Sequence, residues 1–178
     1  MTPDNPNPAL SRALLRAASA DDLPAILRLE RIPEFHTMVG VWPAQEHRLA
    51  LFDPDHRYLI VLGEQGETAG FAILRGLSSP HRNLELKRFV IERPGAGLGR
   101  RALRALMDLA FGQLGAHRLW LDVFPTNARA LHVYRQAGFR QEGTLREAIY
   151  RDGEFHSLLL LAILDREYLA RSPTSPAP

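Results

Sequence analysis

The chain has 178 residues, no cysteine and a formal net charge of +2, with 46% hydrophobic and 24% charged residues. That is the size and composition of one soluble globular domain, and it excludes a disulfide framework, a thiolate zinc site and a cysteine nucleophile. No dense Lys/Arg tract points to nucleic acid, no apolar run approaches the ~18 residues of a membrane span, and the opening MTPDNPNPALSR lacks the apolar core of a secretory signal. A cytoplasmic protein with no nucleic-acid or membrane partner is therefore expected.

Two Pro-rich ends, residues 1–12 and 170–178, read as disordered tails. Between them, residues 13–169 read as a single domain without repeat or linker. A short strand over Ala13–Ala18 opens it. Asp21 or Asp22 can then cap a helix with Pro24 in its first turn and Leu23, Ile26, Leu27 and Ile32 on its apolar side. Pro43 interrupts the stretch from Pro33 to Phe52, leaving Glu34–Trp42 irregular and a second short helix over Ala44–Phe52. Tyr58–Gly63 and Thr68–Leu77 form a hairpin about Gln65-Gly66, and Leu84–Ile91 is the next strand. Leu98–Leu114 is the clearest helix, with Leu103, Leu106, Met107, Ala110 and Leu114 in a stripe at helical spacing. Arg118–Phe124 is a strand, and Asn127–Ala137 a helix that Gly138 ends. Phe139–Tyr150 and Phe155–Leu164 are long strands joined at Asp152-Gly153. Runs of adjacent strands with two late helices give an α+β fold, a mixed sheet with helices on its faces.

The stretch FVIERPGAGLGRR, Phe89 to Arg101, is unusual for a helix entrance. A helix starts with about four N–H groups that lack an internal partner. Gly95, Ala96 and Gly97 offer no side chain to cap them, and the first turns carry Arg100, Arg101 and Arg104 where the dipole favours acids. Open amides, absent side chains and arginines together suit a phosphate or pyrophosphate. The plainer alternative is a flexible loop beside a solvated basic face. A P-loop needs Gly-Lys-Ser/Thr, and Gly99 is followed by two arginines. A dinucleotide fingerprint needs a further glycine where Arg100 stands; Asp122 lies at the distance of its ribose-binding acid, but inside a strand.

Two stretches resemble the GNAT superfamily of acetyl-CoA-dependent N-acetyltransferases: LELKRFVIERPGAGLGRRALRAL and LWLDVFPTNARALHVYRQAGFRQEG. The likeness spans roughly residues 14–165. Gly97 and Gly99 match the glycines of the family's turn, while Pro94 stands where that motif carries Arg or Gln. In the second stretch Asn127, Ala130, Tyr134, Gly138 and Phe139 fall at the family's spacing. The late strands are loosely similar to the branch with ribosomal-protein N-terminal acetyltransferases, and to acetyltransferases of small amines or antibiotics.

The resemblance implies a mixed, mostly antiparallel sheet that splays open after the strand ending at Ile91. It implies acetyl-CoA as co-substrate, with its pyrophosphate on the amides of Gly95, Ala96, Gly97, Leu98, Gly99 and Arg100. Its pantetheine arm would run beside Phe89, Val90 and Ile91, and Asn127 would touch it near the reactive end. Asn127 alternatively serves as a helix cap, or as both. The amide of Val90 or its neighbour would polarise the thioester carbonyl, and Tyr134 would be the acid; in isolation Tyr134 reads as a packing aromatic. Glu85 is the candidate base by position. Strand alternation puts Glu85, Lys87, Phe89 and Ile91 on one face, and the plainer reading of Glu85 is a charge paired with a basic neighbour. Glu147 is a second candidate base. His36, His81, His132 and His156 are scattered without metal-ligand spacing, so no metal is expected. The acceptor is expected to be an amine, on a small molecule or a peptide N-terminus. Glu34–Trp42, the loop Ser78–Asn83 and the hairpin Tyr150–Phe155 should receive it, with Glu34, Glu85 and Glu147 able to attract it. The protein is expected as a monomer or homodimer. The alternative function is an acyl-CoA-binding sensor of the same fold without transfer.

Overall fold

The computed structural model describes residues 14–171, so the expected N-terminal tail and most of the C-terminal one lie outside the described residues. Seven strands make one sheet: β1 (Leu15–Ala17), β2 (His56–Leu62), β3 (Thr68–Arg75), β4 (Asn83–Ile91), β5 (Arg118–Val123), β6 (Arg140–Arg151) and β7 (Glu154–Leu164). Their spatial order is β1-β2-β3-β4-β5-β7-β6. Every neighbouring pair is antiparallel except β4 and β5.

Helices cover both faces. On one lie α1 (Leu23–Glu30), α2 (Pro33–Val39) and α3 (Ala44–Phe52). Their core holds Leu23, Ile26, Leu29, Ala50, Tyr58, Ile60, Phe71, Ile73 and Val90. On the other lie α4 (Leu98–Asp108), α5 (Ala128–Ala137) and α6 (Asp165–Arg171). Leu103, Leu106, Met107, Leu131, Tyr134 and Tyr168 pack there against Leu59, Leu84, Leu86, Leu119, Leu121 and Leu161. Among the described residues no helix is long and apolar enough to cross a membrane.

Local chemistry explains most of these elements. Asp152 (φ +52°) and Gly153 (φ +85°) make the tight turn between β6 and β7, where a primed turn matches strand twist. Gly138 ends α5 in the left-handed region at φ +106°. The long helix ends its α-helical part at Asp108 and widens over Leu109–Gln113, where Leu114 N–H reaches back five residues to Leu109 C=O. Three details depart from the sequence reading. Pro33 opens the helix α2 within the stretch expected to be irregular, as proline does at a first helical position. Leu29, not Leu27, completes the buried side of α1. The helix α6 was not foreseen; it carries Tyr168 into the core and continues through Ala170 and Arg171.

Candidate active site

The parallel pairing of β4 with β5 is short. It joins Asn83, Leu84 and Glu85 to Arg118, Leu119 and Trp120, and goes no further. Beyond it, β4 runs on to Ile91 while β5 runs on to Val123 beside β7. The sheet is split from that point.

Which β4 groups face the split follows from its other edge. Glu92 N–H donates to Ala69 C=O at 2.9 Å, and the register continues Gly70↔Ile91, Phe71↔Val90, Ala72↔Phe89. Hydrogen-bonded and non-bonded pairs alternate in an antiparallel ladder. The main chain of Val90 therefore faces β3, and that of Phe89 and Ile91 faces the split. Of the amides expected to polarise a carbonyl, the neighbours of Val90 point the right way.

At the end of β4 the glycine turn begins. Gly95 (φ +119°) and Gly97 (φ +77°) occupy backbone that favours glycine. A Cβ on either would meet nothing within 4 Å, so the space over the turn is open. No side chain caps α4, and its first helical bond is Arg101 N–H to Gly97 C=O at 3.1 Å. The N–H groups of Leu98, Gly99 and Arg100 precede that bond and have no helical acceptor. The three arginines part company. Arg100 lines the space before the turn. Arg101 reaches Glu64 at 3.7 Å, whereas Arg104 lies 3.7 Å from Asp108 and 5.2 Å above the Tyr168 ring. One arginine, not three, stands with the open amides.

Turn, split and α5 enclose one cleft of about 710 Å³. It is lined by Phe89, Val90, Ile91, Gly95, Gly97, Gly99, Arg100, Asn127 and Tyr134 from the expected site. Phe35, Met38 and Val39 of α2 and His132 and Val133 of α5 also line it, which the sequence did not suggest. Ala96 and Leu98 belong to the turn but do not line the cleft. Asn127 accepts the N–H of Ala130 at 3.1 Å and also reaches the cleft, so the cap role and a cleft position coexist.

Tyr134 is mostly buried, its ring 5.7 Å from Phe139. Among the described residues its hydroxyl makes no hydrogen bond. Burial, and then the nearby Asp122, raise its phenol above the ordinary value. It keeps its proton at neutral pH, so it can act as a proton donor.

The expected base departs from its reading. Leu84, Leu86 and Phe89 all pack on the α4–α5 face, and the step from Leu86 to Phe89 breaks strict alternation. The register with β3 shifts at the same place, between Ile73 and Leu74. This bulge reverses the alternation. Glu85 therefore lies on the opposite face from Phe89 and Ile91. It is buried, bonded to the Arg75 guanidinium, with Lys87 Nζ at 3.3 Å, and it does not line the cleft. Glu147 sits in the irregular part of the β6–β7 pairing at φ +50°, exposed, its N–H on Ser157 Oγ. The side chains of Glu34 and His36 lie outside the described residues. The loop Ser78–Asn83 is anchored away from the cleft, with Ser78 N–H on Asp55 at 2.9 Å. The hairpin Tyr150–Phe155 does not line the cleft; its Arg151 lies 5.2 Å from the Phe124 ring and beside Gly40.

A different carboxylate stands at the split. Asp122 is two residues past Trp120, the last residue of β5 paired with β4. It is solvent-accessible, shares the face of Glu85 and likewise does not line the cleft, but among the described residues its carboxylate makes no hydrogen bond or ion pair. Desolvation by its surroundings raises its carboxyl, with Lys87 opposing and Glu85 adding to the shift. In the sequence Asp122 stood out only as a polar residue in an apolar strand, RLWLDVF, at the spacing of a dinucleotide site's ribose-binding acid, and neither marks it as a base. Among the described residues there is no group of three or more metal-ligating side chains.

A family model described as an acetyltransferase (GNAT) domain matches residues 12–140. The chain is 34% identical over 110 residues to the spermidine N(1)-acetyltransferase of Escherichia coli K12, which is 61% of this chain and 59% of that protein. It is 36% identical over 101 residues to a streptothricin acetyltransferase of Streptomyces lavendulae, 56% of this chain and 52% of that one. These matches thus span under two thirds of either relative's length. The crystal structure of a spermidine N-acetyltransferase from Vibrio cholerae, in complex with CoA and spermine, superposes with a TM-score of 0.78 at 26% identity. That superposition covers 87% of this chain and 96% of that one. The chain belongs to the GNAT acetyltransferase family.

Proposed function

We propose that the protein is an N-acetyltransferase. It moves an acetyl group from acetyl-CoA directly to a primary amine of a small molecule or a peptide N-terminus. The observation that carries this is one cleft joining three features: the open amides after Gly97, the unpaired edge of β4, and Tyr134. The Vibrio relative holds CoA, and the named relatives include spermidine and streptothricin acetyltransferases.

In this reading the amides of Gly95–Arg100, with Arg100, hold the coenzyme's pyrophosphate. The pantetheine arm lies along the free edge of Phe89–Ile91, as an added strand would. The acceptor's neutral nitrogen attacks the thioester carbonyl carbon. A C–N bond forms, negative charge gathers on the carbonyl oxygen, and an N–H of β4 on the split side stabilises it. The C–S bond then breaks, and Tyr134 donates its O–H to the leaving sulfur. The proton from the acceptor nitrogen goes to Asp122, directly or through one water. Asp122 suits this step better than Glu85, because Arg75 and Lys87 already neutralise Glu85.

Calorimetric titration with acetyl-CoA, with NADH and ATP as controls, followed by thiol release with a panel of amines, tests the proposal. Saturable acetyl-CoA binding and thiol release with at least one amine are expected. Binding without release for every amine class would turn the reading to a non-catalytic acyl-CoA module. Absence of binding would overturn it altogether.

A further inference from the structure

On the face of β4 away from α4, Glu30 is fully buried at the last position of α1. It falls four residues after Ile26 and seven after Leu23, on the apolar stripe of that helix. Three donors converge on its carboxylate. Arg88 Nε lies 3.2 Å from Oε1; His47 Nε2 at 3.0 Å and the Trp42 N–H at 3.1 Å share Oε2. His47 Nδ1 in turn lies 3.1 Å from the Tyr58 hydroxyl. A single tautomer, with the His47 proton on Nε2, satisfies the whole chain from Tyr58 to Glu30. The Arg88 guanidinium stacks 4.6 Å over the Trp42 ring and also donates to Lys87 C=O at 3.0 Å.

The placement of these donors matters more than their number. The bond from Trp42 to Glu30 closes the segment that contains α2, whose Phe35, Met38 and Val39 form one wall of the cleft. Arg88 immediately precedes Phe89, whose main chain faces the split. One carboxylate thus ties the wall of the cleft to the strand that would carry the thioester. A buried charge of this kind gains little net stability over apolar packing, but losing one partner leaves the rest uncompensated.

We infer that Glu30 is a positioning residue for acceptor binding: it clamps α2 at a fixed distance from β4 and touches no reactant itself. The inference rests on the acetyltransferase reading and assigns the acceptor wall within it.

The test uses the full chain, acetyl-CoA and the first amine that the wild type acetylates. Glu30→Gln keeps the volume but presents an amide NH₂ to a ring of donors. Hydrogen bonds to a buried charge are the strong ones, and losing them loosens α2, so the acceptor KM should rise about tenfold or more. The KM for acetyl-CoA should stay within about twofold. Amide exchange over residues 33–42 should quicken, while that of β3 and β4 should not. Joint movement of both KM values, or no change in either, would overturn the inference. A second measurement does not depend on the variant folding. In the wild type, the Trp42 amide should exchange more slowly than those of Gly40 and Val41, and exchange as fast as exposed Val41 would overturn the clamp. Failure of the wild type to acetylate any amine would instead count against the acetyltransferase reading, with the exchange of Trp42 still deciding the clamp.

Discussion

Glu85 stands opposite Trp120, and past that pair the two parallel strands part. The split starts one residue after Glu85 on β4 and one after Trp120 on β5. Asp122, on the same face of β5 as Trp120, is thereby left beside the opening. Glu85, still inside the paired region, is closed over by Arg75 and Lys87. Two carboxylates a short way apart thus have opposite availability, decided by which side of the split each occupies.

Tyr134→Phe tests the acid. The ring stays and the donor goes. General-acid contributions run at about 10²–10⁴-fold, so kcat should fall at least about a hundredfold. Acetyl-CoA affinity, read by calorimetry, should change by less than about threefold. Undiminished kcat would remove Tyr134 from that role.

Gly97→Glu tests the anion site. The turn has open space above Gly97, so a side chain fits sterically. Its carboxylate would stand where a pyrophosphate is proposed, and its backbone at φ +77° would be strained by about 1 kcal/mol or more. Gly97→Ala shares the strain without the charge. Acetyl-CoA binding should be lost in the Glu variant and only weakened in the Ala variant. Tight binding by both would move the coenzyme elsewhere.

Asp122→Asn should separate activity from stability. The carboxyl is raised in the fold, so the native state binds its proton more tightly than the unfolded chain. Stability is therefore lost as pH rises from the ordinary carboxylate range through the raised value. Above that window the Asn variant should be the more stable, by about 1–3 °C in Tm, a small effect because the group is solvent-accessible. Below the ordinary range the difference should vanish. Turnover should fall steeply in the same variant, and the acid limb of the pH–rate profile should disappear. A variant that is no more stable, yet fully active, would refute both assignments.

Asp22→Asn has the opposite sign. Arg16 grips Asp22 with two bonds, of 2.8 and 2.6 Å, and Ser19 N–H adds a third at 2.8 Å. The Arg16 guanidinium, foremost, holds this carboxyl down at about 2. Its contribution is complete above about pH 4 and fades as pH falls toward 2. Arg16 is 43% exposed, so screening trims that contribution to about 1 kcal/mol. The Asn variant should melt about 2–4 °C lower at neutral pH. The gap should narrow steadily in thermal scans taken from pH 4 downward.

Much of this was legible before any coordinates. The hairpin at Asp152-Gly153, the cap at Asn127 and the stop at Gly138 are local, because the residue types themselves favour those dihedrals. The glycine turn was legible for the same reason, and so was its lack of a cap. Pro43 was read as the break in the stretch from Pro33, and Pro33 was given no role, although proline also starts helices. The helix α6 was missed because its burial rests on Tyr168 meeting Phe111, stacked 5.0 Å away across the chain.

The sequence by itself determined the turn, the helix that follows it, and the presence of Tyr134 four residues before Gly138. These depend on short-range sterics and spacing. Which carboxylate is available was decided only by the tertiary structure. Strand alternation placed Glu85 beside Phe89, and a bulge opposite β3 reversed it. Asp122 looked like a polar interruption until β4 and β5 parted next to it. Glu30 drew no reading from the sequence; Arg88, His47 and Trp42 close around it from a strand, a helix and the loop between α2 and α3. A residue's identity fixes what it can donate or accept, but whether it is already satisfied depends on partners far away in the chain.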